Sequence, residues 1–388
     1  MKKIDKNVII KKGDCMKKNL LLAGIVFLSF GLVSCDKDKT LNDPLVISEF
    51  IENDSNSALE LYNRFDEEID LSDYSLKIYF RSVITIPLEG KLEAKNTYVI
   101  VQESEFLSDE LRNRSDFIVN QLIFSGRNAI ELCHDGKTID ILGDKENIYS
   151  YCEDKGIVRK TNYLRSTTKF DEYEWIRYPN TTLDNLNSAT NNITEEELLA
   201  GPQLTDEDLE RPFVSLQNSS LGGGGVITVT VSSYGDGDTT NFYFPDTGEV
   251  NAPVGTTRVR YQNVDTRETM ADLTQEWGVP AKNFTNSELQ NADVIQVQSV
   301  LNGSLYETFD RLLGWVWVDG ELLNFKLVKE GYSQVQFGES QAMYKGVLYT
   351  DFLYHAELYA KRNGLKIHGE EDPTWDYEHN RPKEDDNV

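Results

Sequence analysis

The sequence predicts two domains in series: an all-β antiparallel sandwich, then an α+β barrel with capping helices. Two observations carry this expectation. Before residue 188, short alternating segments follow one another with turn residues between them and no long helical period. After residue 225, strand-like segments are interleaved with stretches of helical spacing, and a polar stretch separates the two regions. A chain of 388 residues has room for both domains and a connection.

The N-terminal segment reads as an address. Met16-Lys17-Lys18 precedes an apolar run from Leu20 to Val33 and then Ser34-Cys35, which describes a signal peptide rather than a membrane span. The Leu32-Val33-Ser34-Cys35 ending resembles the bacterial lipoprotein lipobox. That resemblance implies that Cys35 is acylated and becomes the first mature residue. Met16 is then the expected start, with residues 1–15 upstream of it, 16–34 the signal peptide, and 35–44 the lipidated cysteine with a charged tether. The expected location is a lipid anchor on the cell membrane, facing away from the cytoplasm. Of the remaining cysteines, Cys133 and Cys152 would lie in an oxidising compartment, where they either pair or stay as free thiols.

Charge narrows the function classes. Acids outnumber bases 65 to 39, a net −26, and loss of residues 1–34 removes seven lysines and two aspartates, leaving −31. Such a surface excludes a broad non-specific grip on nucleic acid. Any chemistry on a polyanion must rest on a few placed arginines and a cation.

Residues 45–187 supply the strands LVISEFI, ALELYN, IDLSDYSLKIYF, NTYVIVQ, NAIELCH and KTIDILG, with Trp175 and Pro179 near the closing strand. This pattern resembles a lamin-tail domain, which implies an immunoglobulin-like sandwich serving as a binding or scaffolding module, with no ligand named. Glu49, Glu60 and Asp70 read as outward or turn positions, and His134, in a CHDG turn, as solvated. Residues 188–225 shift to Asn, Thr, Glu, Asp and Ser and end in Gly222–Gly225, which reads as a flexible spacer with one short helix capped by Thr194.

Residues 226–372 contain VITVTVSSYGDGDTTNFYF, TTRVRYQNVD, VIQVQSVL and RLLGWVWV, five strands in all, with helices after Glu268, around Leu323–Glu330 and over Asp351–Asn363. Phe352, His355, Ala356, Tyr359 and Ala360 recur at helical spacing, a stripe suited to packing on a barrel of the OB type. His355 and His368 read as structural, and residues 373–388 as an acidic tail.

Three motifs carry chemistry: DGDT at Asp236–Thr239, VRYQNVDTRET at Val259–Thr269, and FDRLLGWVWVDG at Phe309–Gly320. Asp238 and Asp265 are oxygen donors suited to a hard cation. Glu268 is placed to orient or deprotonate water, and Arg260 and Arg311 to make bidentate contacts with phosphate. Asp236 reads as a turn former or a carboxylate behind the ligands. With WGVPAKNFTNSEL and AELYAKRNGLKIH, these motifs resemble the thermonuclease family, the staphylococcal-nuclease-like enzymes, over residues 226–369.

The resemblance implies Ca2+ held by Asp238, Asp265 and the Thr266 carbonyl, Glu268 as general base, and Arg260 and Arg311 on the phosphate. Its products carry 3′-phosphates, from DNA and also RNA. Departures are Arg267 in place of a proline, and Asp310 in place of a glycine, where it either holds Arg311 or competes with phosphate. The base-stacking platform maps only to Phe309 and Phe337, with Glu339 where a tyrosine would stand. The function expected is an anchored, calcium-dependent nuclease. The alternative is a catalytically weak nucleic-acid-binding or structural surface lipoprotein.

Overall fold

The computed structural model describes residues 42–383, apart from 54–55, 121–124, 147–148, 190, 192, 270–273, 337 and 339. The signal segment, Cys35, Phe337 and the end of the tail lie outside the described residues.

The first domain is a sandwich of two sheets. In the larger, six strands run in the order Trp175–Pro179, Lys155–Arg159, Leu45–Ile51, Ala58–Asn63, Thr97–Gln102 and Phe117–Val119. In the smaller, four run in the order Lys137–Leu142, Ile130–His134, Tyr74–Tyr79 and Val83–Pro87. The period-two pattern is plain in Tyr74–Tyr79, where Leu76 and Ile78 enter the core and Lys77 does not. Alternation also explains the cysteines. Ile130 and Leu132 face the core that contains Cys152, so Cys133 points to the other face, and both cysteines are buried free thiols. The possible disulfide is therefore corrected.

Strand Leu45–Ile51 is buried at all seven positions, as expected for a sheet covered on both faces. Its second cover is the segment read as a spacer. Residues 188–225 carry a helix at Glu195–Ala200, another at Asp206–Glu210, and a strand, Leu221–Gly223, paired with Leu301–Ser304. Both helices open with reciprocal capping boxes, Thr194 with Glu197 and Thr205 with Asp208. Ile193, Leu198, Phe213 and Val214 are buried in a core shared with Val99, Val158 and Tyr178 of the sandwich and Phe325 and Phe352 of the second domain. The glycine run is a close-packing device rather than a hinge: a Cβ on Gly222 would stand 2.1 Å from the Val300 carbonyl oxygen.

This covering segment also buries Glu49 and Glu60, correcting their outward assignment. They face each other across neighbouring strands. Glu49 accepts a hydrogen bond from the Tyr178 hydroxyl, and Glu60 accepts from Ser48 Oγ at 2.7 Å and from the Asn187 backbone at 2.5 Å.

The second domain is a closed five-stranded barrel. Strands Gly255–Tyr261, Thr239–Phe244, Val226–Tyr234, Ile295–Ser299 and Leu312–Val318 pair in that order, and the first and last close the ring in parallel. Helices Gly278–Asn291, Leu323–Lys329 and Tyr349–Asn363 complete it. The last helix faces the sandwich as well as the barrel. Lys155 Nζ lies 2.9 Å from Asp351 Oδ2. Lys160, buried over the Tyr173 ring, reaches His355 Nε2 at 3.2 Å and Glu195 Oε1 at 3.1 Å. Burial holds Lys160 down to about 8 and His355 down to about 3, so the neutral imidazole accepts from the ammonium. Part of the expected acidic tail is structured too: Trp375 is buried, and Trp375–Asp376 pairs with Arg381–Pro382.

Two outcomes are expected. Phe213→Ala and Leu198→Ala should each destabilise the whole chain by about 2–5 kcal/mol, and calorimetry should show both domains unfolding together. Separate transitions would contradict a shared core. Burial raises Glu60 to about 7. Its folded pKa exceeds the unfolded one, so its contribution to stability is complete below about pH 4.5 and is lost as pH rises to about 7. Carboxyl NMR titration should place its midpoint near 7, and a midpoint near 4.5 would mean that the acid is solvated.

Candidate active site

Asp238 organises the site. It ends the DGD turn, where a Cβ on Gly237 would approach Thr266 Oγ1 to 2.8 Å, so glycine lets strand Val264–Thr266 pass close. Asp238 Oδ2 accepts from the Thr266 backbone N–H at 2.8 Å and from Thr266 Oγ1 at 3.0 Å, and Oδ1 accepts from Thr239 Oγ1 at 3.1 Å. The observed task of Thr266 is thus to orient Asp238 through its N–H and hydroxyl.

Arg260 lies opposite Thr239 and beside Leu313 in the barrel wall. Its Nη2 donates to Asp265 Oδ1 at 2.9 Å. Its Nη1 sits 2.7 Å from Asp238 Oδ2 in ion-pair contact, yet without hydrogen-bond alignment, which leaves a buried donor unsatisfied. Asn263, at φ 60°, turns the chain between Gly255–Tyr261 and Val264–Thr266 and anchors that turn through Nδ2 to the Gln336 carbonyl at 2.8 Å. Asp265 is fixed from behind, its N–H donating to Ser333 Oγ at 2.8 Å.

Glu268 has its backbone clamped by Gln275: its N–H donates to Gln275 Oε1 at 3.1 Å and its carbonyl accepts from the Gln275 N–H at 2.9 Å. Its side chain opens into the cleft. Partial burial raises its pKa, and Asp236, Asp238 and Asp265 push in the same direction, against Arg260. Asp236 accepts from the Thr269 hydroxyl.

Arg311 is gripped by Glu307, through Nε to Oε1 at 2.7 Å and Nη2 to Oε2 at 3.2 Å. Asp310, at φ 59°, instead donates its N–H to the Glu307 carbonyl in the tight turn, so Glu307 and not Asp310 holds Arg311. Sequence reading missed Glu307, although its i, i+4 spacing to Arg311 was visible. Ser333 and Gln275 gave no such signal. Phe309 stands at the rim, 79% exposed, with the Arg311 guanidinium 5.7 Å from its ring centre.

Asp236, Asp238, Arg260, Asp265, Glu268 and Arg311 all line one cleft of about 460 Å³. Among the described residues, no histidine or cysteine lines it. The cleft's carboxylates offer oxygen donors, the kind a hard divalent cation takes, and in this structure the Arg260 guanidinium links Asp238 to Asp265 as their counter-charge. Away from the cleft, ligand atoms of Asp73, His134 and Asp135 lie within 4.8 Å of one another. His134 is not a free turn residue: its Nδ1 is 2.7 Å from Asp43 Oδ2 and its ring stacks on Tyr74.

Comparison with known proteins agrees with this architecture. Residues 39–146 match the family described as Lamin Tail Domain, and residues 258–367 match Staphylococcal nuclease homologue. The chain therefore joins a lamin-tail sandwich to a staphylococcal-nuclease-like barrel with its helices. The thermonuclease of Staphylococcus intermedius is 37% identical over 82 residues, 21% of this chain and 47% of that protein. The chain thus spans about half the length of that relative.

A backbone test follows from Gly278, where a Cβ would fall 2.4 Å from the Glu268 carbonyl oxygen. Gly278→Ala should cost about 1–3 kcal/mol in denaturant unfolding. An unchanged midpoint would show that the Glu268 segment is not packed against this helix.

Proposed function

We propose that the protein is a calcium-dependent nuclease hydrolysing phosphodiester bonds of DNA and RNA, with 3′-phosphate products, held outside the cytoplasmic membrane by lipid on Cys35. The observation that carries this reading is the convergence of Arg260, tied to Asp238 and Asp265, with Arg311 and Glu268 in one open cleft. The resemblance of the barrel to a thermonuclease supports the reaction class, and the lipobox-like Leu32–Cys35 supports the anchor.

Asp238 and Asp265, with the Thr266 carbonyl, would hold calcium. When bound, the ion would supply positive charge against the phosphate oxygens and draw the substrate into the cleft. Arg260 lines the cleft and would present its guanidinium to the phosphate. Arg311, steadied by Glu307, presents its remaining N–H groups to the same group. Charge growing on the phosphate oxygens in the transition state strengthens both contacts. Glu268 takes the proton of the attacking water. Its backbone clamp on Gln275 fixes where that carboxylate stands.

Arg260→Ala and Arg311→Ala should each lower turnover by roughly 10²–10³, about 2.7–4 kcal/mol. Near wild-type rates in both would sink the phosphate clamp. Excess chelator should abolish cleavage and calcium restore it, whereas activity persisting in chelator would remove the cation. For the anchor, Cys35→Ser should move the protein from the membrane to the soluble fraction. An unmoved membrane fraction would end that assignment.

A further inference from the structure

Among the described residues, four arginines line the cleft: Arg258, Arg260, Arg267 and Arg311. Carboxylates engage two of them, Arg260 through Asp238 and Asp265 and Arg311 through Glu307. Arg258 and Arg267 are engaged by no carboxylate among the described residues. In a chain with 65 acids and 39 bases, and in a cleft already crowded with carboxylates, two guanidinium groups left open run against the electrostatic trend. Each keeps its charge available to an incoming anion.

Both are neighbours along the chain of residues in the proposed reaction centre. Arg258 is two residues before Arg260 on strand Gly255–Tyr261, on the same face of the barrel wall and one step further along it. Arg267 lies between Thr266 and Glu268. It lines the cleft and also a neighbouring cavity of about 450 Å³ walled by Gln275, Trp277 and Lys366. In that cavity Lys366 is paired with Glu370 at 2.9 Å, so Arg267 is the open cation where the two spaces meet.

We propose that Arg258 and Arg267 bind the phosphates flanking the scissile one, so that the preferred substrate is a polynucleotide strand running through the cleft rather than a dinucleotide. This inference rests on the nuclease reading above. Guanidinium groups on backbone phosphates position a strand without reading its bases, so the preference concerns length and not sequence. Arg267 stands where the family resemblance leads one to expect proline, which makes this flanking contact a property of this chain.

The test compares single-stranded oligothymidylate with a thymidine dinucleotide carrying one phosphodiester, both with calcium, for the wild-type protein and Arg258→Ala/Arg267→Ala. The ratio of kcat/KM, long over short, should fall about tenfold in the double variant. The slope of log kcat/KM against log salt on the long strand should become shallower by about 1.4, from roughly 0.7 per lost phosphate contact. Arg258→Lys/Arg267→Lys should recover most of the slope. An unchanged ratio and slope would overturn the proposal. If the wild-type protein cleaves neither substrate, the nuclease reading fails by itself. Fluorescence anisotropy with labelled oligothymidylate then decides the flanking contacts: the same loss of salt slope in binding upholds them, and equal slopes or no binding overturn them.

Discussion

The guanidinium of Arg260 joins three neighbouring pieces of chain: the turn ending at Asp238, the strand that carries Arg260, and the short strand that carries Asp265. Two carboxylates set this close would repel each other and leave the short Val264–Thr266 strand poorly held. The arginine turns that repulsion into a bridge. The bridge in turn needs the Thr266 N–H and hydroxyl on Asp238, and the glycine at 237 that lets Thr266 approach. Opposing charges thus assemble the cleft, with Nη1 of Arg260 buried against Asp238.

The second constraint is the sheet covered on both sides. One face of the six-stranded sheet closes the sandwich, and the other lies under the 188–225 segment and the last helix of the barrel domain. Burying Glu49 and Glu60 there raises both carboxyl groups, and burying Lys160 lowers its ammonium. These polar groups sit in the sheet, at its helix contact and under the covering segment, so the docking is specific as well as apolar. The lamin-tail part is consequently a structural partner of the barrel, not a separate body on a tether. Whatever it binds, it holds the final helix, and with it one side of the barrel, in place.

What the sequence by itself determined is local. The barrel motifs are contiguous: DGDT, VDTRET and the FDR turn each carry their own turn chemistry and their own reactive side chains, so the candidate residues were legible as residues. Period-two alternation marked the sandwich strands, and the Thr194 cap marked its helix. What only the tertiary structure decided is what those residues face. Composition hid Ile193, Leu198 and Phe213 among polar neighbours, because a core position needs a partner surface and not a hydrophobic run. Alternation placed Glu49 and Glu60 on an outer face, and only the covering segment made that face an interior. Glu307 on Arg311 and Ser333 behind Asp265 arise from chain reversal and strand pairing. Side-chain identity is written along the chain, but burial and ion pairing are properties of distance in space, and those distances exist only once the sheets have closed.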